Sequence, residues 1–145
     1  MISLAAQPAF VAYAIALIVL SLNLLFLWAY SGVVRGKTKT TPNQEDAKGN
    51  KLVEIESPEV ARVLRAHTNA MANIVPFALL ALVFVLAGGS AQAAQILFGV
   101  FTAARLAHSF AYLGGKQPWR SICFGIGILT TVVLVGFIVK ALASA

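Results

Sequence analysis

Four long apolar stretches, separated by short polar segments, dominate the pattern along this chain of 145 residues. They cover about residues 8–34, 58–87, 91–113 and 118–142. Each reaches the roughly 20 residues that an α-helix needs to cross the hydrocarbon core of a bilayer. None alternates with a period of two, so helices are expected, because lipid admits only structures that satisfy their backbone polar groups internally. The pattern predicts an all-α integral membrane four-helix bundle that forms a single domain over residues 1–145.

The composition agrees with this prediction. The chain is 59% hydrophobic and only 11% charged, whereas a soluble domain carries about 25% charged residues. The net charge of +6 does not indicate nucleic-acid binding, because the basic residues lie at the ends of apolar segments rather than along an exposed stripe. One cysteine and two histidines exclude an intrachain disulfide and give no argument for a metal site.

The segment boundaries carry recognisable signals. Ser57-Pro58-Glu59 is typical of a helix start, with an N-cap, a proline at the first helical position and an acid in the first turn. Pairs of glycines follow the second and third segments, as helix C-caps often do. No Lys or Arg precedes Arg35, so we interpret the first segment as a retained transmembrane helix rather than a signal peptide.

The distribution of lysines predicts the orientation. The polar loop 36–57 and the link after the third segment hold nearly all of them, and the link after the second segment holds none. The positive-inside rule therefore places both termini outside and the first and third connections in the cytoplasm, with Lys140 as a mild exception. The compact loops and the lack of a retention tail favour a bacterial inner membrane.

This topology brings the unusual polar residues to one membrane face. Charged side chains within a bilayer are costly and so are usually functional. Five arginines fall in or beside the apolar segments: Arg35, Arg62, Arg65, Arg105 and Arg120. All five acids lie between Glu45 and Glu59, so few partners can neutralise the arginines. Because guanidinium groups pair with carboxylates in a bidentate way, an anionic ligand bearing carboxylates is expected here.

Helical spacing supports the same site. Residues three or four apart share a helix face, and two segments carry polar residues at these intervals: Arg62, Arg65, Asn69 and Asn73 on the second, Arg105, His108 and Tyr112 on the third. Two structural alternatives stay open at this point. Arg62 could form an ordinary ion pair with Glu59 or Asp46, and Arg105 could interact with a helix dipole and lipid phosphates.

Three motifs resemble the MAPEG family, the membrane-associated proteins in eicosanoid and glutathione metabolism. They are Arg62-Val-Leu-Arg65-Ala-His67-Thr-Asn69 with the later Ile74-Val-Pro76-Phe77, then Arg105-Leu-Ala-His108-Ser-Phe-Ala-Tyr112-Leu-Gly, and Pro118-Trp-Arg120-Ser121. The branch of the microsomal prostaglandin E synthases is the most similar in appearance. The resemblance spans nearly the whole chain, and the second and third helix motifs together are quite specific.

The resemblance implies a homotrimer that binds glutathione between neighbouring subunits near the cytoplasmic side. It implies glutathione contacts at Arg35, Arg65, Asn69, Arg105, His108 and Tyr112. It further implies that Arg120 favours the glutathione thiolate, that Ser121 donates a hydrogen bond to it, and that Asp46 takes part in proton handling. A thiolate, not a thiol, is the attacking species.

Three positions depart from the family pattern. Ala72 stands where the family has the glutamate that holds the ammonium of the γ-glutamyl group; Asn73 could partly substitute, but it points about 100° further round the helix. Thr68 and Phe124 replace an arginine and a tyrosine of the prostaglandin branch. The thiolate end of the expected site is intact, and its ammonium end is altered.

Two functions follow. The first is a glutathione-dependent transferase, peroxidase or isomerase that acts on lipophilic electrophiles dissolved among the membrane lipids. The alternative is a non-catalytic protein of the same fold that binds another anion or lipid, or serves as a subunit of a larger membrane complex. A proton-coupled exporter fits poorly, because such proteins usually need an intramembrane acid.

Overall fold

The computed structural model describes residues 3–143, and it confirms the four predicted helices. They are α1 (Pro8–Thr38), α2 (Pro58–Leu86), α3 (Ala91–Leu113) and α4 (Trp119–Ala143). All four are long and apolar enough to cross a membrane. Two short 3-10 turns, Leu4–Ala6 and Gln44–Asp46, and two short strands, β1 (Thr40–Thr41) and β2 (Lys51–Leu52), complete the described chain.

Helix α1 extends four residues past its predicted end. It continues through Arg35 and Lys37 and stops where Lys39 adopts a left-handed conformation with φ of 51°. Two cations in the last turn stabilise the negative end of the helix dipole, which explains why the helix extends beyond the apolar segment. The predicted loop of residues 36–57 is correspondingly shorter, and β1 pairs with β2 in parallel within it.

The other ends agree with the predicted bounds to within one residue. At the start of α2, Ser57 Oγ accepts a hydrogen bond from the backbone N–H of Val60 at 3.4 Å. Gly88 and Gly115 adopt positive φ angles of 76° and 63° after α2 and α3, so both glycine pairs do terminate helices. Helix α4 begins at Trp119, after a cis Gln117–Pro118 peptide bond.

Aromatic packing joins the four helices. The rings of Phe77 in α2 and Phe101 in α3 stack with centroids 3.5 Å apart, and Phe98 meets Phe77 edge to face at 5.8 Å. Leu27 and Leu134 close the core from α1 and α4 with no exposed surface. Many large apolar side chains face outward instead, as expected of surfaces that contact lipid or neighbouring subunits.

A buried polar contact ties α1 to α3. The Asn23 amide donates to Ser109 Oγ at 3.1 Å, and that hydroxyl donates to the backbone carbonyl of Arg105 at 3.1 Å. Hydrogen bonds of this kind replace water for polar groups inside a membrane. The contact fixes the register of α3 at Arg105, which lies near the polar end of the bundle.

Candidate functional site

A polar cleft of about 300 Å³ opens at the basic end of the bundle. Three helices supply its walls: Asn69 from α2, His108 and Tyr112 from α3, and Arg120, Ser121 and Phe124 from α4. Five of these six residues were predicted from the sequence as site residues. Because α2 and α4 run opposite to α3, the last turns of α3 meet the first turns of α4, and this arrangement brings the side chains together.

Among the described residues that line this cleft, Arg120 is the one cation. Its guanidinium carbon lies 4.7 Å from the centroid of the Tyr112 ring, a distance typical of a cation–π interaction. The side chain thus has a fixed position in the second residue of α4. An anion that enters the cleft would meet a guanidinium already oriented by an aromatic ring.

Gln117 orients the same turn and was not predicted from the sequence. With its amide oxygen toward the guanidinium, it accepts from Arg120 Nη2 at 2.8 Å and donates to Ser121 Oγ at 3.2 Å. In that orientation the Ser121 hydroxyl hydrogen stays available for a ligand. The spacing of Gln117 three and four residues before Arg120 and Ser121 is the sequence signal that could have identified it.

Arg105 lies behind the cleft rather than on its surface. It is completely buried, with 0% of its surface exposed. Its Nη2 donates to Asn69 Oδ1 at 2.8 Å and lies 3.4 Å from His108 Nδ1. Its Nε and Nη1 have no hydrogen-bond partner among the described residues. Arg105 therefore supports Asn69 and His108 from behind the cleft, and a ligand in the cleft would interact mainly with the charge of Arg105.

The remaining arginines occupy separate surroundings. Arg35 donates to Glu56 through Nε at 3.0 Å and forms an ion pair with it. Arg65 is exposed on α2. Arg62 lies against Gly115 in the turn after α3. The structural alternative required an ion pair of Arg62 with Glu59 or Asp46, and among the described residues neither pair is formed. The arginines share one end of the bundle without forming one pocket.

Two other predicted site residues lie outside the cleft. Asp46 is exposed in the loop, where its Oδ2 accepts from Asn43 Nδ2 at 3.1 Å. Asn73 turns back along α2, and its amide donates to the Asn69 carbonyl at 2.8 Å. Ala72 is exposed in the chain, so the position at which the family pattern has a glutamate is accessible.

The cleft suits an anionic ligand. No acid is found among the described residues that line it, and within residues 3–143 there is no group of His, Cys, Asp or Glu able to hold a metal ion. A cation, two hydroxyls, an amide and an imidazole converge there. Such a set can bind carboxylates and stabilise a developing negative charge, and it contains no strong nucleophile of its own.

The fold and the cleft define a membrane protein of four helices with a polar, cation-bearing site at one end. The sequence model of the MAPEG family matches residues 11–140. The prostaglandin E synthase of Equus caballus is 35% identical over 132 residues, which cover 89% of this chain and 84% of that protein. The microsomal glutathione S-transferase 1 of Rattus norvegicus is 34% identical over 118 residues, or 76% of each chain. The chain belongs to the MAPEG family.

Proposed function

We propose that this protein is a membrane-bound glutathione-dependent transferase, peroxidase or isomerase that acts on lipophilic electrophiles. The observation that carries the proposal is the position of Arg120 in the cleft, oriented by Tyr112 and next to the Ser121 hydroxyl. The name of one relative, a microsomal glutathione S-transferase, supports glutathione as the polar ligand.

The groups in the cleft fit most of what glutathione presents. Glutathione carries two carboxylates, one ammonium and a thiol, and the cleft offers Asn69, His108 and Tyr112 as hydrogen-bonding groups beside the cation of Arg120. Arg65, exposed one turn before Asn69 on α2, extends the positive charge toward the basic end. Among the described residues that line the cleft there is no acid for the ammonium, and Ala72 stands where the family pattern has a glutamate.

The chemistry assigned to this chain is the activation of a thiol. When bound, glutathione supplies the nucleophilic sulfur. The positive charge of Arg120 favours the deprotonated sulfur, and the Ser121 hydroxyl donates a hydrogen bond to it. Tyr112 holds the guanidinium in place, so its orientation costs little reorganisation when charge develops. The exposed apolar faces beside α4 leave the cleft open to an electrophile that partitions into the bilayer.

The same proposal includes a homotrimer with sites between subunits. In one chain, Arg35 is paired with Glu56 and does not line the cleft. The cleft is open on one side, so α1 of a neighbouring copy could supply Arg35 and the nearby loop with Asp46. The site would then face the cytoplasm, with both termini outside, in a bacterial inner membrane.

A substitution series at Arg120 tests the chemistry. We expect Arg120→Ala to lower the rate of glutathione conjugation to a chromogenic electrophile by about 10²-fold or more, the usual scale for one charge-stabilising group. The ultraviolet absorbance of the bound thiolate should disappear as well. Lys116→Ala, which removes an exposed cation from the preceding turn, is the matched control and should retain both signals. Unchanged conjugation by Arg120→Ala would show that the assigned chemistry is wrong.

The absence of an acid among the described lining residues favours one alternative, a non-catalytic member of the family that binds another anion. Thermal unfolding across a glutathione titration separates the two functions, because a ligand that binds only the native state raises the unfolding midpoint. A saturable rise supports the enzyme. A midpoint that stays constant at high millimolar glutathione supports the non-catalytic protein.

A further inference from the structure

A second cleft at the basic end of the bundle shares no lining residue with the Arg120 cleft. It has a volume of about 370 Å³ and lies between the last turns of α1, the first turns of α2 and the end of α3. Of the described residues that line it, Lys37 and Arg62 are cations and Glu59 is the one acid. The function proposed above makes no use of this cleft.

The floor of the cleft is apolar and consists of packed side chains. Val34, Val60 and Val63 form a small buried cluster of their own, and Tyr30 and Leu113 pack against it. Four of these five residues also line the cleft. A molecule seated there would place an apolar part on this floor and a polar part at the rim.

The cations are held at the rim by their local structure. Lys37 is the second-last residue of α1, so it projects where the helix leaves the apolar segment. The Arg62 guanidinium lies against Gly115, where a Cβ atom would overlap Nη1. Within residues 3–143, neither cation forms an ion pair with a carboxylate, that of Glu59 included. The three charged groups together carry a net charge of +1.

The position of the cleft indicates the kind of ligand. Its walls are helix ends, which in a bilayer lie at the boundary between hydrocarbon and headgroups. Basic pockets between transmembrane helices at this level bind anionic lipid headgroups. A net charge of +1 matches one phosphodiester, and the apolar floor matches the first methylenes of an acyl chain.

We propose that this cleft is a binding site for an anionic glycerophospholipid, with the phosphodiester between Lys37 and Arg62. The acyl chains extend from the floor at Tyr30 and Leu113 onto the lipid-facing surface. The ligand chemistry is thus a singly charged phosphate ester attached to an apolar tail.

The test is an unfolding titration of the purified full chain in mixed micelles. Phosphatidylglycerol should raise the unfolding midpoint saturably, whereas zwitterionic phosphatidylcholine and soluble glycerol 3-phosphate should not. In the double variant Lys37→Gln, Arg62→Gln, the apparent affinity for phosphatidylglycerol should fall about 30-fold, since each basic residue near the headgroups contributes a few-fold to tenfold.

Two matched variants make this test specific. Lys48→Gln with Lys116→Gln removes the same charge from outside the cleft and should leave the affinity unchanged. Lys37→Arg with Arg62→Lys keeps the charge and should retain binding, which guards against a folding defect at Arg62. An equal response of the cleft variant and the wild-type protein would overturn the site. An equal response to glycerol 3-phosphate would overturn the lipid assignment in favour of a soluble anion.

Discussion

At the scale of single residues, Ala72 marks the position at which the proposed glutathione site differs from the family pattern. It lies three residues after Asn69, and therefore on the same side of α2, and it is exposed in the chain. No acid is among the described residues that line the cleft. A bound ammonium would thus keep part of its desolvation cost without a charged partner.

We therefore expect Ala72→Glu to tighten glutathione binding by about 10- to 100-fold, because a hydrogen bond to a charged group contributes about 1.5–3 kcal/mol. Isothermal titration in detergent measures this directly. Ala72→Gln is the matched control, since it adds similar bulk without charge and should give a much smaller gain. A decrease in affinity for Ala72→Glu would mean that the ammonium of glutathione does not face this position.

Burial separates the roles of two arginines, Arg105 and Arg120. Arg105 and Arg120 looked alike in the sequence, at polar positions near the same end of the bundle. Arg105 is completely buried and donates a hydrogen bond to Asn69, whereas Arg120 lines the cleft. The spacing of residues gives the helix face but not the depth, because depth depends on how the neighbouring helices pack.

At the scale of elements, the turn after α3 links the two clefts of this end. Gly115 has a φ of 63°, a left-handed conformation that costs a residue with a Cβ atom about 1–2 kcal/mol. The added Cβ would also displace the Arg62 guanidinium. The turn therefore needs glycine both for its backbone and for the side chain that rests on it.

We expect Gly115→Ala to destabilise the protein by about 1–2 kcal/mol, seen as a lower unfolding midpoint in detergent. Gly36→Ala is the matched control: this glycine lies in α1, and apart from neighbouring residues of the same helix no atom lies within 4 Å of a Cβ placed there. Its midpoint should stay the same or rise slightly, since alanine favours helix. Equal midpoints for the two variants would contradict the role assigned to the left-handed turn.

Most of the element boundaries could be predicted from local signals. Ser57 caps α2 and the glycine pairs end α2 and α3, because these effects involve only a few neighbouring residues. The extension of α1 to Thr38 was missed, since the polar residues from Gly36 onward, Lys37 among them, were assigned to a loop. The hydrogen bond between Asn23 and Ser109, 86 residues apart, depends on how the helices pair. A single polar residue in an apolar segment does not indicate which residue it will bond to.

At the scale of the whole molecule, the question is whether one chain makes a complete site. The cleft is built from α2, α3 and α4, while Arg35 on α1 is engaged with Glu56. If the glutathione site lies between subunits of a trimer, Arg35 and Arg120 act from different chains. Closed rings of identical subunits create this kind of shared site at each interface.

Subunit mixing tests this arrangement. We expect the single variants Arg35→Gln and Arg120→Gln to be inactive as homo-oligomers, because each interface lacks one cation. Co-expressed chains should regain activity, since some interfaces then combine the intact Arg35 of one chain with the intact Arg120 of the next. Random assortment in a cyclic trimer predicts recovery of about a quarter of the wild-type sites.

Light scattering on the detergent-solubilised protein gives the matching physical measurement, a protein mass of three times the 15.3 kDa chain. A sample that is folded and trimeric by this measure but shows no recovery on mixing would place Arg35 and Arg120 in the same chain's site. A monomeric mass with full wild-type activity would remove the need for a shared site altogether. Recovery near one quarter would instead assign the two guanidiniums to opposite sides of one interface.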